Sequence, residues 1–273
     1  MNQSILRTNG ESYLNPLFWV HGEEEAVIRN EIKVMSENGI GSFTVESRPH
    51  PEYLQKGWWR DLDIIIDEAK KRKMKVWLYD DCGFPSGSVS GELVKKYPEY
   101  RKKFLRIVHI DSIGPLKGSS FLIRQWLKKD ESVVAVVAAA RSNLSDVLLS
   151  DTLIDITDHM VNGVVYWDLP EGSWRVFVLI KSLNCAEELT ENHLNPLEKE
   201  AVGAFIKLAF EPTYEHLKQE FGETLQGFFT DEPRFGNYPS YSAKLGTVDM
   251  PIPYSTQIIN ISFPLFSPAY FPH

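Results

Sequence analysis

Three carboxylates that stand at the ends of apolar, strand-like runs are the residues best suited to chemistry. Glu46 closes the run GSFTVES, Asp81 closes VWLYDD, and Glu232 follows LQGFFTD. The carboxyl ends of parallel strands meet at one edge of an α/β barrel, so three independent strands would bring these groups together. Neighbouring carboxylates can divide the roles of general acid and base. The alternative for each carboxylate is a purely structural role, as the cap of the following helix or in an ion pair within a loop.

Aromatic side chains cluster around the same strand ends. Trp19, Trp58, Trp59, Trp77 and Phe84 surround the carboxylates, and aromatic faces stack against the apolar face of a sugar ring. The alternative is core packing, and Trp58 with Trp59 is better explained as an anchor at a helix start. His21 and His50 lie nearby without the spacing of a transition-metal site, so we interpret both as structural.

The elements that position these residues are βα units. Apolar residues at helical spacing follow the first and second runs, which predicts strands over 17–21, 41–47 and 76–81, helices between them, and a fourth strand over 225–231. Strand side chains alternate between faces, and the outer face must meet helices. This alternation predicts an outer set and an inner set. The outer set is Phe18, Val20, Phe43, Val45, Val76, Leu78 and Phe229; the inner set is Trp19, His21, Thr44, Glu46, Trp77, Tyr79, Asp81, Thr230 and Glu232.

The middle of the chain has a different pattern. Between about Phe104 and Leu183, strand-like runs follow one another without helices, which predicts an inserted all-β domain. Within it, 164–167 and 174–178 flank Pro-Glu-Gly-Ser and predict a β-hairpin. The predicted domains are 1–103 (first part of the barrel), 104–186 (β insert), 187–248 (barrel continuation, with Pro212 kinking its helix) and 249–273 (irregular tail).

Composition excludes several classes of protein. The formal net charge of −8 disfavours a nucleic-acid partner, and two cysteines cannot form a disulfide framework. No run approaches the length of a membrane span, and the first residues lack the apolar stretch of a secretory signal. The sequence therefore predicts a cytoplasmic protein without a membrane partner.

Three motifs together resemble a known family. Phe18-Trp19, then 77–81 (WLYDD) followed by 84–87 (FPSG), and then 229–233 (FTDEP) are similar to the bacterial α-L-rhamnosidase-type glycoside hydrolases. The resemblance implies an α/β fold of the (β/α)8 TIM-barrel type, a carbohydrate substrate and no required cofactor, with calcium as an optional aid that holds sugar hydroxyls. It implies Glu232 as the general acid, a role that requires a raised pKa, supplied by burial beside Trp77 or by another carboxylate nearby. Substrate would be bound by Glu46, Arg48, Trp77, Tyr79, Asp80, Asp81 and Asp231.

The chain departs from that family in length. A full barrel has eight strands, whereas only four barrel strands can be identified, so we expect a barrel truncated after about four strands and a fragment of a larger glycosidase. The second catalytic carboxylate would then lie on a later strand. Two alternatives remain open: a non-catalytic carbohydrate-binding or remnant protein, and a metal-assisted barrel hydrolase using Glu46, Asp81, Glu232 and a histidine. An unpaired sheet edge also predicts self-association.

Overall fold

The computed structural model describes residues 14–235 and 251–257. The chain divides into two compact units. The parallel-sheet unit comprises the described residues up to Arg101 and from Asn192 to Arg234, and the β unit comprises Lys102–Glu191 and the described residues from Phe235 onward. Each unit has its own sheets and its own buried apolar residues, and each is described separately below.

The parallel-sheet unit alternates strands and helices. Its elements are β1 (Leu17–Val20), α1 (Glu25–Glu37), β2 (Ser42–Ser47), α2 (Lys56–Lys71), β3 (Lys75–Cys82), α3 (Glu92–Lys96), α4 (Lys199–Phe205), a π turn (Ile206–Phe210), α5 (Glu211–Leu217) and β11 (Leu225–Phe229). The strands pair in parallel in the order β1-β2-β3-β11 and curl as half a barrel. The predicted α/β character is confirmed, while the described residues provide four strands of this sheet and not the eight of a closed barrel.

The helices of this unit cover one face of the sheet. Apolar side chains of β1, β2 and β3 that were predicted to face outward pack with α1 and α2 in one core: Val20, Phe43, Val45, Val76, Leu78, Ile28, Ile32, Leu62 and Ile65. Strand and helix patterning are both local, so the sequence predicted this interface correctly. We call the opposite face of the sheet the inner face.

The predicted orientation of β11 is wrong. Phe228 packs against the core, whereas Phe229, predicted to face the helices, is 38% exposed and contacts the ring of Tyr79 on the inner face. The cause is a register shift against β3 between Leu225 and Gly227. A one-residue irregularity of this kind moves every later side chain to the other face.

Helix α4, the π turn and α5 form one composite helix over 199–217. The predicted kink at Pro212 corresponds to the π turn Ile206–Phe210 just before it. Proline has no N–H to donate to the carbonyl four residues earlier, so the regular hydrogen-bond pattern is interrupted there.

The β unit consists of two antiparallel sheets. One has the order β12-β4-β10-β6-β7 and the other β5-β9-β8. Their bounds are β4 (Phe104–Leu116), β5 (Ser120–Leu122), β6 (Ser132–Ala140), β7 (Ile154–Asp155), β8 (Met160–Val161), β9 (Val164–Tyr166), β10 (Leu169–Ser182) and β12 (Ile252–Pro253). Apolar residues of both sheets, including Val165, Val178 and Ile180, share one core. Of the predicted irregular tail, residues 251–257 are described, and β12 within them pairs with β4.

The predicted hairpin is wrong. The segment Pro170–Ser173 does not turn the chain but lies inside β10, where the pairing with β4 is irregular between Leu169 and Gly172. Strand β10 pairs with β4 and β6, and β9 pairs with β5 and β8 instead. Gly and Pro in a strand can mark a bulge as well as a turn, and only the distant partner strands decide between them.

Candidate functional site

The inner face of the parallel sheet carries the candidate site. Trp19, Glu46 and Trp77 each alternate with core residues of their strands, so all three side chains lie on this face. Strand register places Trp19 beside Glu46 and places Trp77 beside Thr44, one step along the same face. Trp19 is 50% and Trp77 is 37% exposed, whereas Glu46 is only 3% exposed. A shielded carboxyl therefore shares the inner face with two accessible indole rings.

The Glu46 carboxyl is held by two groups. The indole Nε1 of Trp19 donates a hydrogen bond to its Oε2 at 3.0 Å, and Arg48 Nη1 lies 3.2 Å from its Oε1. The Arg48 guanidinium also lies over the Trp19 ring, 5.1 Å from its centroid. Burial raises the pKa of Glu46, the nearby Asp231 charge raises it further, and the Arg48 charge and the Trp19 N–H only partly oppose this. The carboxyl therefore holds its proton to higher pH than an exposed glutamate does.

Asp81 organises the loop that follows β3. It is fully buried, and its two oxygens accept hydrogen bonds from the backbone N–H groups of Cys82 (2.7 Å), Gly87 (2.7 Å), Ser88 (2.6 Å) and Ser90 (3.1 Å). Such a saturated carboxylate shapes a loop. Its predicted role in substrate binding stays a prediction, because its lone pairs already have donors in this structure.

Asp80 joins three segments of the parallel-sheet unit. The hydroxyl of Ser86 donates to its Oδ1 and the hydroxyl of Thr230 donates to its Oδ2, both at 2.6 Å. Ser86 and Asp231 are further linked by reciprocal hydrogen bonds of 3.0 Å, from Ser86 N to the Asp231 carbonyl and from Asp231 N to the Ser86 hydroxyl. Burial raises the pKa of Asp80 to about 6, against the lowering effect of the two hydroxyl donors. These contacts fix Asp231 beside the end of β3.

Two aromatic residues of β3, Tyr79 and Trp77, shape the inner face. Tyr79 is buried, and its hydroxyl donates to the carbonyl of Gly83 at 3.0 Å. The ring of Trp77 lies against the backbone of Gly227, where an added Cβ would come within 3.2 Å of it. Gly227 therefore leaves room for the Trp77 ring on the inner face.

Glu232 lies in a different environment from the one predicted. Its side chain is 64% exposed, it forms an ion pair of 3.1 Å with Arg234, and its backbone has a φ of 37°. The burial that was expected to raise its pKa is absent. The role of Glu232 as a general acid stays a prediction.

The histidines near the strand ends have structural partners. His50 is buried: its Nδ1 lies 3.0 Å from the backbone N–H of Glu52 and its Nε2 lies 3.0 Å from Asp61. Because Nδ1 accepts that N–H, Nε2 carries the proton and donates to Asp61. His21 pairs with Glu23 at 2.8 Å. Within residues 14–235 and 251–257, no three His, Cys, Asp or Glu side chains are grouped to hold a metal ion, so calcium binding stays a prediction without a located site.

Sequence reasoning missed three contributors to the site. It noted Trp19 among the aromatic residues but did not place it in the site, although the predicted strand alternation puts it on the same face as Glu46. Ser86 and Thr230 were not assigned to the site, because their contacts with Asp80 depend on the loop after β3 and on a segment 150 residues away.

Among known proteins, a weak similarity is found to a solved structure. No protein-family model and no curated protein matches the chain. Among solved structures, a rhamnosidase from Novosphingobium sp. PP1Y is similar over 73% of this chain, with a TM-score of 0.43 and 12% sequence identity. The chain spans about a third of that protein, since the match covers 36% of its length. In the part of the chain that the structure describes, no helix has the length and apolar character needed to cross a membrane.

Proposed function

We propose that the chain is a glycoside hydrolase, or the part of one that binds sugar at the inner face of its parallel sheet, with α-L-rhamnosides as the candidate substrates. The observation that carries this proposal is the buried Glu46 carboxyl on a face that it shares with the accessible rings of Trp19 and Trp77. The sequence motifs that resemble rhamnosidase-type enzymes support it as well.

The proposed acid is Glu46. Cleavage of a glycosidic bond requires a carboxylic acid that protonates the leaving oxygen and a second carboxylate that acts as base or nucleophile. Burial raises the pKa of Glu46, which suits the acid role, and the Asp231 charge lies close enough to act on it. Glu232, predicted as the acid from its motif, is the competing candidate, and it is exposed and paired with Arg234.

The proposed sugar platform consists of Trp19 and Trp77. Both rings are accessible on the inner face; Trp19 contacts Glu46 and Arg48, and Trp77 lies against the Gly227 backbone. Rigid aromatic faces offer a large contact area at a low entropic cost. A sugar ring stacked there would place its glycosidic oxygen near the strand ends, where Glu46 lies.

The test compares two matched variants of the whole chain on aryl α-L-rhamnosides. We expect Glu46→Gln to lower kcat/KM about 10²–10⁴-fold, because a positioned general acid contributes that much. The loss should shrink for aryl leaving groups that need no proton, and sugar binding measured by tryptophan fluorescence should persist. Glu232→Gln should lose less than Glu46→Gln on the substrate with the poorest leaving group.

The activities of the two variants distinguish the candidate acids. Undiminished turnover by Glu46→Gln would remove Glu46 as the acid, and a larger loss in Glu232→Gln would return that role to Glu232. A second candidate function, sugar binding without hydrolysis, is favoured by the exposed tryptophans alone. It would be supported by a fluorescence change that Trp77→Ala abolishes in a chain that cleaves none of the substrates. The absence of both cleavage and binding would contradict the proposal.

A further inference from the structure

Phe229 is an accessible apolar side chain on the inner face that the proposed chemistry does not use. The register shift of β11 between Leu225 and Gly227 turns Phe229 to this face, where its ring centroid lies 6.1 Å from that of Tyr79. The side chain is 38% exposed there, whereas the neighbouring Phe228 packs against the core. The irregularity in β11 therefore adds an apolar surface to the face that carries Glu46.

Phe229 lies close to the level of Glu46 along the strands. Three pairs of residues, each joining neighbouring strands of the sheet, establish this level: Trp19 with Glu46, Val45 with Leu78, and Phe229 with Tyr79. Neighbouring strands are about 4.8 Å apart, so β11 lies on the order of 10 Å across the sheet from the strand that carries Glu46. A sugar ring whose glycosidic oxygen lies at Glu46 would extend along this row, with its far end at Phe229.

The polar side chains of the same face are shielded and have partners. Thr44 and Glu46 are both buried, and Thr44 Oγ1 accepts a hydrogen bond of 2.8 Å from Asn15. The Tyr79 hydroxyl donates to a backbone carbonyl, and Asp81 accepts from four backbone N–H groups. A ligand on this part of the inner face therefore meets mainly aromatic carbon.

An apolar ring at the far end of a sugar site distinguishes sugars by their C6 group. An ordinary hexose carries a hydroxyl at C6, whereas a 6-deoxyhexose such as rhamnose carries a methyl group there. A hydroxyl placed against an aromatic ring loses its contact with water and gains no hydrogen-bond partner. Apolar pockets reject an analogue that adds one hydroxyl by at most about 100-fold.

We propose that Phe229 selects the sugar at C6, by packing against the methyl group of a 6-deoxyhexose whose glycosidic oxygen lies at Glu46. This inference rests on the proposed sugar site at the inner face, but it does not require that the chain cleaves the sugar. It gives a specificity-determining role to a residue that the sequence predicted to face the helices.

The test compares the binding of methyl α-L-rhamnoside with that of methyl α-L-mannoside, which differs only by the hydroxyl at C6. Tryptophan fluorescence of the whole chain measures both dissociation constants. We expect the wild type to bind the rhamnoside about 10–100-fold more tightly. Phe229→Ser should bring the ratio of the two constants close to one, because the apolar contact is lost. Phe229→Leu should keep most of the preference, because leucine is also apolar.

The matched control is Tyr214→Ser. This change removes an aromatic ring that is 50% exposed on the composite helix, away from the inner face. It should leave the ratio of the dissociation constants unchanged. Because Phe229 is also partly exposed, its variants should keep the wild-type circular dichroism spectrum, and a changed ratio then reports on recognition and not on folding.

The outcomes separate this inference from the proposed function. Equal affinity of the wild type for the two sugars, or a preference that Phe229→Ser leaves intact, would overturn the role of Phe229 and leave the sugar site in place. Tighter binding of the mannoside would overturn it as well, because it would indicate a polar contact at C6. A wild-type chain that binds neither sugar would contradict the proposed sugar site, and this inference with it.

Discussion

At the scale of one residue, Asp80 shows how one buried carboxyl can hold several segments of a candidate site together. Its two oxygens hold Ser86 and Thr230, and Ser86 in turn holds the backbone of Asp231. The carboxyl is 2% exposed, and burial raises its pKa to about 6. Asp80 therefore positions these segments at the strand ends, and its predicted role in substrate binding stays a prediction.

The raised pKa of Asp80 predicts a pH-dependent stability. The folded chain binds the Asp80 proton up to pH about 6, whereas an unfolded aspartate releases it near 4. The protonated Asp80 carboxyl therefore stabilises the folded state fully below the pKa of the unfolded chain, and this contribution is lost as pH rises through the pKa of the folded chain. We expect the free energy of unfolding of the wild type to fall, relative to Asp80→Asn, by on the order of 3 kcal/mol between pH 4 and pH 6.5. Urea unfolding at each pH measures this difference.

The difference in free energy of unfolding between the wild type and Asp80→Asn reports on the Asp80 carboxyl, because asparagine has no titratable proton at that position. Glu99→Gln, at an exposed position of the same unit, serves as the control and should track the wild type at every pH. A wild-type minus Asp80→Asn difference that stays flat from pH 4 to pH 6.5 would contradict the assigned shift.

At the scale of elements, the sequence predicted what depends on local patterning. Residues such as Phe43 and Val45 alternate with Thr44 and Glu46, and this alternation alone gives β2, its buried face and the location of Glu46. The helical spacing of Leu62 and Ile65 likewise gives α2. Three of the four strands of the parallel sheet thus follow from residues adjacent in sequence, and their shared edge follows from parallel pairing.

The errors arose where distant residues decide the structure. The bulge at Gly227 depends on β3 and Trp77, and the course of 170–173 depends on β4 and β6. The loop that Asp81 shapes depends on four backbone donors whose conformations no local pattern specifies. The exposure of Glu232 belongs to the same group, because its burial was inferred from a neighbour on another strand.

An ion pair in the β unit links two of its elements. Arg106 on β4 binds Glu131, just before β6, through Nε to Oε1 at 2.8 Å and Nη2 to Oε2 at 2.5 Å. The Glu131 side chain is 1% exposed. Burial alone would raise its pKa, but the Arg106 guanidinium, the Lys128 N–H and the Ser182 hydroxyl together lower the pKa of Glu131 to about 2.

The lowered pKa of Glu131 predicts the opposite pH dependence to that of Asp80. The ionised Glu131 carboxylate stabilises the folded state above the pKa of an unfolded glutamate, near 4.3. This contribution is lost as pH falls towards 2. At pH 7 we expect Glu131→Gln to lower the free energy of unfolding by roughly 2–3 kcal/mol, and near pH 2 the difference should vanish. Denaturant unfolding between pH 2 and pH 7 measures it.

The matched control for Glu131 is Glu171→Gln, an exposed position of β10 in the same unit. It should change stability little at any pH. A loss in Glu131→Gln that is the same at pH 2.5 and pH 7 would contradict the assigned ion pair, because only the ionised carboxylate gains from Arg106.

At the scale of the whole molecule, the chain contains two units with separate cores. Ile65 is fully buried in the core of the parallel-sheet unit, and Ile180 is fully buried in that of the β unit. A unit with its own core can unfold as its own cooperative transition. Stability should therefore be a property of each unit.

Calorimetry of two core variants tests this separation. Ile65→Ala and Ile180→Ala should each cost about 2–5 kcal/mol, because each leaves a cavity in a packed core. We expect two transitions in the wild type, with Ile65→Ala lowering the Tm of one and Ile180→Ala lowering that of the other. Leu144→Ala, at a 71% exposed position, should shift neither. If both core variants lower a single shared transition equally, the units unfold together and the separate cores do not confer separate stability.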